Sequence, residues 1–213
     1  MSSFMSTFVI LLGGDLTVTD RLRAQVKGAR FLAADGGMRH ALSLGVVPEL
    51  WLGDFDSTDP DLLEKFTAVP RETFPVAKDM TDGELALNKA YQLGAKRVIL
   101  CGAFGGERTD HTLLHLTMAT RHAILGRQIL LSSGFEEAYP LVPGEFHYDL
   151  PEASVFSILS FSQLDGLTIE QAEWPLDKIT LPLGSSLTVS NVVRGTLYVS
   201  LRLGHAILIA KPS

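Results

Sequence analysis

Up to Ser133 the chain alternates short apolar runs with longer stretches of helical period, and few folds are open to such a rhythm. Repeated strand–helix–strand units build a mostly parallel sheet with helices flanking it, an α/β architecture. Phe8–Leu12, Arg30–Ala34, Leu50–Leu52, Thr73–Val76, Arg97–Cys101 and Gln128–Leu131 read as strands. Asp20–Lys27, Gly37–Leu44, Pro60–Phe66, Thr81–Leu93 and Asp110–Leu125 read as helices. After Ser132-Ser133-Gly134 the helical stretches stop. The runs Ser154–Phe161, Leu167–Glu170, Lys178–Leu181, Ser186–Val193, Thr196–Leu201 and Ala206–Ala210 are rich in Val, Ile, Leu, Thr and Phe. Turn residues at Asp165-Gly166, Gly184-Ser185, Arg194-Gly195 and Leu203-Gly204 separate them, the spacing of an antiparallel sandwich or barrel. The boundary is expected near Gly134–Gly144, where Pro140 and Pro143 suit a linker, which divides the chain into residues 1–138 and 139–213.

Length and charge exclude several classes. A chain of 213 residues is long enough to bury two small cores, and 46% hydrophobic with 20% charged residues is too apolar for a disordered polymer. With a net charge of -6 and no local basic patch, it offers no field for nucleic acid or an acidic membrane surface. The lone Cys101, set in an apolar run, makes no intrachain disulfide and reads as a buried thiol of a reducing compartment, the cytoplasm. Phe8–Leu12 is too short to span a bilayer and has no Lys or Arg before it, so it reads as a first strand rather than a signal peptide or anchor.

The chemistry is suggested by where the aspartates fall. In a parallel sheet, ligands bind at the carboxyl ends of the strands. Asp15 follows the first run, Asp35 the second, Asp54 and Asp56 the third, and Asp79 and Asp82 the fourth; the fifth leads through a glycine loop to Arg108-Thr109-Asp110-His111. Two carboxylates ~4 Å apart repel by ~4 kcal/mol at an effective dielectric of ~20, so a convergent set calls for a cation or for protonation. Oxygen donors without matched Cys or His suit magnesium or calcium better than zinc, and magnesium where phosphates complete the shell. Asp54 and Asp56, two residues apart, would share one side of an extended segment. Taken alone, Asp35 or Asp110 reads first as a helix N-cap, and Asp59 and Asp61 read as first-turn acids.

Glycines at Gly13-Gly14, Gly36-Gly37, Gly53, Gly102 and Gly105-Gly106 either cradle an anion on their N–H groups or punctuate turns. Neither the Walker A pattern nor the dinucleotide fingerprint occurs. Arg108 and Lys78 are the cations nearest the acidic clusters, placed to grip phosphate or to pair with an acid. His111 and His115 have zinc spacing on a helix but no third ligand, and Ser132-Ser133-Gly134 lacks the glycine of a nucleophile elbow.

Four segments resemble the thiamine pyrophosphokinase family. They are Ala33-Ala34-Asp35-Gly36-Gly37 with Pro48 and Gly53-Asp54-Phe55-Asp56-Ser57; Lys78-Asp79-Met80-Thr81-Asp82; Gly105-Gly106-Glu107-Arg108-Thr109-Asp110-His111; and Trp174-Pro175-Leu176 with Ser190-Asn191. Glu107 is an insertion against the family pattern, and His115 stands where asparagine is common. The resemblance implies a nucleotide- and metal-binding α/β domain, a thiamine-binding and dimerisation β-sandwich, and a homodimer with its site between subunits. It implies transfer of the diphosphoryl group of ATP to the hydroxyl of thiamine, with Mg2+ on Asp54, Asp56 and Asp82. Arg108 and Asp110 join these as catalytic residues. Asp35, Gly36, Gly37, Ser57, Lys78, Asp79, Thr81, Gly106 and His111 would face the nucleotide or metal waters, and Trp174, Ser190 and Asn191 the thiamine. An aromatic ring such as Trp174 suits a cationic thiazolium. A diphosphokinase for another alcohol, such as a hydroxymethyl pterin, and a non-catalytic nucleotide or thiamine sensor are the alternatives.

Overall fold

The computed structural model describes residues 6–56, 58–74, 79–106 and 108–213. Contacts divide the chain into two compact units, one running up to His115 with Arg127–Gly134, the other comprising Leu116–Gly126 and Phe135–Ser213.

The first unit carries six strands, Thr7–Leu11 (β1), Arg30–Ala34 (β2), Leu50–Gly53 (β3), Arg71–Thr73 (β4), Arg97–Cys101 (β5) and Gln128–Ser132 (β6). All of their pairings are parallel, in the order β6-β5-β1-β2-β3-β4. β1 and β5 are central and buried almost throughout, as strands covered on both faces must be, while the edge strand β4 is short and polar. The helices are Asp20–Val26 (α1), Arg39–Leu44 (α2), Pro60–Lys65 (α3), Asp82–Gln92 (α4) and Thr109–Ile124 (α5), with a 3-10 turn over Asp35–Met38 leading into α2. Local chemistry starts them. Thr19 Oγ1 accepts the Leu22 N–H at 3.1 Å, Asp59 caps α3 ahead of Pro60, and Thr81 Oγ1 accepts the Glu84 N–H at 3.3 Å. α4 packs on β1, β2 and β3 through Ala86, Leu87 and Ala90. The chain moves outward from β1 to β4 and then returns to β5 on the other side of β1. The crevice for a ligand therefore opens between the carboxyl ends of β1 and β5.

The second unit holds Glu137–Leu141 (β7), Gly144–Tyr148 (β8), Val155–Ser160 (β9), Leu164–Ala172 (β10), Leu176–Leu181 (β11), Asn191–Leu201 (β12) and Ala206–Lys211 (β13). Every pairing within it is antiparallel: β7 with β13, β13 with β9, β9 with β12, β12 with β8 and β10, and β10 with β11. β12 pairs with β9 at Asn191 and Val192, then with β8 and β10 further along, so one long strand serves two sheets. Phe156, Ile158, Leu167, Ile169, Val199 and Leu208 lie in their common core.

Tertiary pairing revises four expectations. The stretch read as a linker holds β7 and begins β8; Pro140 has no N–H to donate, which hides the strand, yet it sits opposite Ile207 in register. Asp165-Gly166 is a bulge inside β10, where Gly166 takes φ 68°, rather than a turn between strands. Arg194-Gly195 lies within β12, because the glycine lets the strand pass Gln171, whose Oε1 would stand 2.7 Å from an added Cβ. Ser186–Ser190 is not strand, and β12 begins only at Asn191.

Candidate active site

At the predicted crevice the first unit carries a cleft of about 610 Å³. Its rim holds four carboxylates, Asp35, Asp54, Asp79 and Asp82, delivered by the segments after β2 and β3 and by the start of α4. Gly13, Gly14, Gly102, Gly105 and Gly106 also line the cleft, with Arg39, Arg108, His111 and His115.

Asp35 opens the 3-10 turn with φ 43°, a left-handed backbone that few residues adopt and that aspartate tolerates better than most. Two features hold it there. Trp51 Nε1 donates to the Asp35 carbonyl at 2.9 Å, and Gly53 leaves room, since an added Cβ would sit 3.3 Å from the Asp35 Cα. The Asp35 side chain is not a helix cap. Burial raises its pKa, and the charges of Asp82, Asp54 and Asp56 raise it further against a lowering hydrogen bond from the Gly36 backbone. Its Oδ1 is buried without a hydrogen-bond partner.

The Asp54–Asp56 segment is a turn, which corrects the expectation of an extended pair. β3 ends at Gly53, Phe55 takes φ 61°, and Asp54 Oδ1 accepts the Asp56 N–H at 3.2 Å. The strained backbone is held by packing: the Phe55 ring stands edge-on to Trp51 at 5.1 Å, and the Arg71 guanidinium lies over both rings at 5.8 and 5.4 Å. Asp54 lines the cleft, whereas Asp56 is exposed and is not part of its lining.

These carboxylates fit a hard cation in one particular way. Among the described residues no three His, Cys, Asp or Glu side chains are grouped to hold a metal by themselves. The donors are oxygens, they repel one another across the rim, and the buried Asp35 Oδ1 has no proton donor. Magnesium matches this set, because it takes one or two carboxylates and completes its shell with water and substrate phosphate.

The loop after β5 is tied down by acids. Gly106 N–H donates to Asp15 Oδ2 at 3.1 Å, and Arg108 grips Asp110 with two prongs, Nε to Oδ1 at 2.9 Å and Nη2 to Oδ2 at 2.7 Å. That pairing holds the Asp110 carboxyl well below the usual range. Asp110 is thus bound to its neighbour in the chain rather than acting as the N-cap it resembled. His111 lines the cleft and meets His115 edge-on at 6.2 Å. His115 Nδ1 lies 3.0 Å from the Ala103 carbonyl, and burial lowers its pKa and favours the neutral ring.

Of the glycine pair after β2, Gly36 reaches the cleft but Gly37 does not. An added Cβ at Gly37 would come within 2.2 Å of the Leu11 carbonyl oxygen, so this glycine serves close packing against β1. Thr81 and Asp79 line the cleft, while Ser57 and Lys78 lie outside the described residues. Arg39, which no motif contained, and Met80, to which its motif gave no role, also line the cleft. Arg39 opens a short helix two residues after the Ala33–Gly37 segment but is not itself part of it, and only the fold shows its side chain at the rim.

The remaining predicted residues meet in the second unit. Asn191 is buried, its Nδ2 donates to the Trp174 carbonyl at 2.8 Å, and its Oδ1 accepts the N–H groups of Trp174 at 3.1 Å and Val192 at 2.8 Å. Its amide thus bridges β12 to the loop that displays Trp174, a residue 57% exposed. Ser190 is exposed at φ 61°, and its N–H donates to Ser157 Oγ at 3.0 Å.

Two family descriptions match the chain, "Thiamin pyrophosphokinase, catalytic domain" over residues 25–131 and "Thiamin pyrophosphokinase, vitamin B1 binding domain" over residues 145–206. Thiamine pyrophosphokinase of Bacillus subtilis (strain 168) is 28% identical over 200 residues, spanning 90% of this chain and 93% of that protein. The crystal structure of the Bacillus subtilis enzyme superposes with TM-score 0.86 at 24% identity, covering 98% of this chain and 100% of that one. Thiamin pyrophosphokinase from Candida albicans superposes with TM-score 0.80 at 13% identity, covering 98% and 89%. At these identities the superpositions speak to the fold.

Proposed function

The chain belongs to the thiamin pyrophosphokinase family, and from that premise we propose that its cleft binds ATP and transfers the diphosphoryl group to the hydroxyl of thiamine. The protein is an ATP-dependent diphosphotransferase whose products are thiamine diphosphate and AMP. One observation carries the assignment of the site: Asp35, Asp54, Asp79 and Asp82 share the rim of a single cleft, and Asp35 Oδ1 is buried there without a partner.

In this reaction the thiamine hydroxyl oxygen bonds to the β-phosphorus as the bond from that phosphorus to the bridging oxygen of AMP breaks. The hydroxyl proton passes to a cleft carboxylate. Such a transfer needs in-line positioning and charge neutralisation more than covalent help from the protein. Of the expected magnesium ligands Asp54, Asp56 and Asp82, the two that line the cleft, Asp54 and Asp82, are proposed to hold the ion, which when bound would neutralise phosphate charge and polarise the transferred group. Asp79 and Thr81 orient water and phosphate beside them, and Asp35, Gly36, Gly106 and His111 bound the nucleotide; Gly37 serves by letting the turn pack on β1, Asp110 by holding Arg108, and the parts expected of Ser57 and Lys78 fall outside the described residues. Arg108 is assigned to the triphosphate in exchange for Asp110. In the second unit Trp174 offers a π face to the thiazolium, with Ser190 beside it and Asn191 fixing its loop.

We assign residues 1–138 to nucleotide and metal and residues 139–213 to thiamine and dimerisation, a division supported by the separate family matches. A cytoplasmic homodimer completes the reading. The buried lone Cys101 suits the compartment, and the exposed Trp174, Leu183, Leu187 and Val189 suit a subunit contact. Among the described residues no helix is long and apolar enough to cross a membrane. Incubation with ATP, magnesium and thiamine should release AMP; release with a hydroxymethyl pterin instead, or thiamine binding without AMP, would replace this reading.

A further inference from the structure

Two arginines line the cleft, Arg39 and Arg108, and their charges are in different states. Arg108 is neutralised by the two-pronged pair with Asp110. Arg39 has no carboxylate partner among the described residues; it donates only to carbonyls, Nη2 to Gly13 and Gly14 and Nη1 to Gly36 at 3.3 Å. These bonds use three of the five N–H groups of a guanidinium. The remaining two, with the full positive charge, stand on an exposed side chain at the rim.

The wall beside it is bare. An added Cβ at Gly13 or Gly36 would meet nothing within 4 Å except the Arg39 Nη1, at 4.0 and 3.6 Å. A tetrahedral anion can therefore approach both backbones and the guanidinium together. Arginine suits the place better than lysine would, because its planar fork bridges carbonyls of two loops and still presents donors in the geometry that phosphate oxygens accept. Without it, three carbonyl dipoles would add their negative ends to a cleft already holding four carboxylates.

We propose that Arg39, backed by Gly13 and Gly36, anchors the phosphate chain of the nucleotide and is the group by which the cleft tells adenine nucleotides from the unphosphorylated nucleoside. This inference rests on the ATP reading above but names a residue that reading does not need. The test uses the full chain and displacement of a fluorescent trinitrophenyl-ATP by inorganic tripolyphosphate and, separately, by adenosine. The substitution Arg39→Gln should weaken tripolyphosphate about 10- to 100-fold, the range of a charge-assisted contact, and leave adenosine unchanged. In the AMP-release assay the same variant should raise KM for ATP with kcat and KM for thiamine little changed. Unchanged tripolyphosphate affinity, or an equal loss for adenosine, would overturn the proposal, the second outcome marking a loop support only. Should Arg39→Gln fail to fold, Arg39→Lys is measured instead. It is expected to weaken tripolyphosphate about tenfold with adenosine unchanged, and wild-type affinity for tripolyphosphate would overturn the idea. A wild-type protein that binds tripolyphosphate yet makes no AMP from thiamine would fail the earlier reading and leave this one standing.

Discussion

Asp35 shows how a single side chain can oppose the fold it serves. Its pKa is raised by burial and then by the acids around it, so its ionised form is less stable in the folded chain than in the unfolded one. A carboxyl with a raised folded pKa favours folding fully below its unfolded pKa, near 4, and that contribution is lost as pH rises through the folded value. Asp35→Asn should therefore raise the metal-free melting temperature at pH 7, and the gain should vanish near pH 3; a scan of Tm against pH checks both limbs. Asp54 makes the complementary case. It lines the cleft and its Oδ1 accepts the Asp56 N–H, a bond an amide oxygen can also accept, so Asp54→Asn keeps the shape and removes the charge. AMP release should fall about 100-fold or more with little change in the circular dichroism spectrum.

At the scale of elements, the strands end in conformations that only particular residues allow. The step from β2 into the 3-10 turn brings Gly37 against the Leu11 carbonyl of β1, and the turn after β3 depends on Phe55 being clamped by Trp51 and Arg71. A methyl group at Gly37 would meet backbone, which cannot swing aside as a side-chain end can. Gly37→Ala should cost about 1–3 kcal/mol, read as a lower urea midpoint with an unchanged slope. The alternation of apolar runs made the parallel strands legible to within a residue or two for β1, β2, β3, β5 and β6, since a strand buried on both faces must be apolar along its length. β7 was missed for the converse reason: Pro140 and polar neighbours carry no such signal, and register with β13 decides it.

For the whole molecule, the proposed homodimer is the feature to measure. Sedimentation equilibrium should give twice the chain mass of 23.1 kDa, with the apolar residues Trp174, Leu183, Leu187 and Val189 withdrawn from solvent. A single-chain mass at concentrations where AMP is still released would remove the dimer from the account.

Composition and periodicity by themselves determined that this chain would fold as a parallel α/β unit followed by antiparallel strands, because burial on two faces or one imposes its own spacing on apolar residues. The order of acidic residues after the strands likewise marked the rim, and Asp35, Asp54, Asp79 and Asp82 meet there. Only tertiary structure decided which neighbours turn inward. Asp54 faces the cleft while Asp56 is exposed, Gly36 is open while Gly37 is packed, and Arg39, just past the Asp35-Gly36-Gly37 segment, lines the cleft as well. The reason is physical: a side chain's direction follows from backbone dihedrals such as those of Asp35 and Phe55, and these are held by contacts from residues distant in the chain.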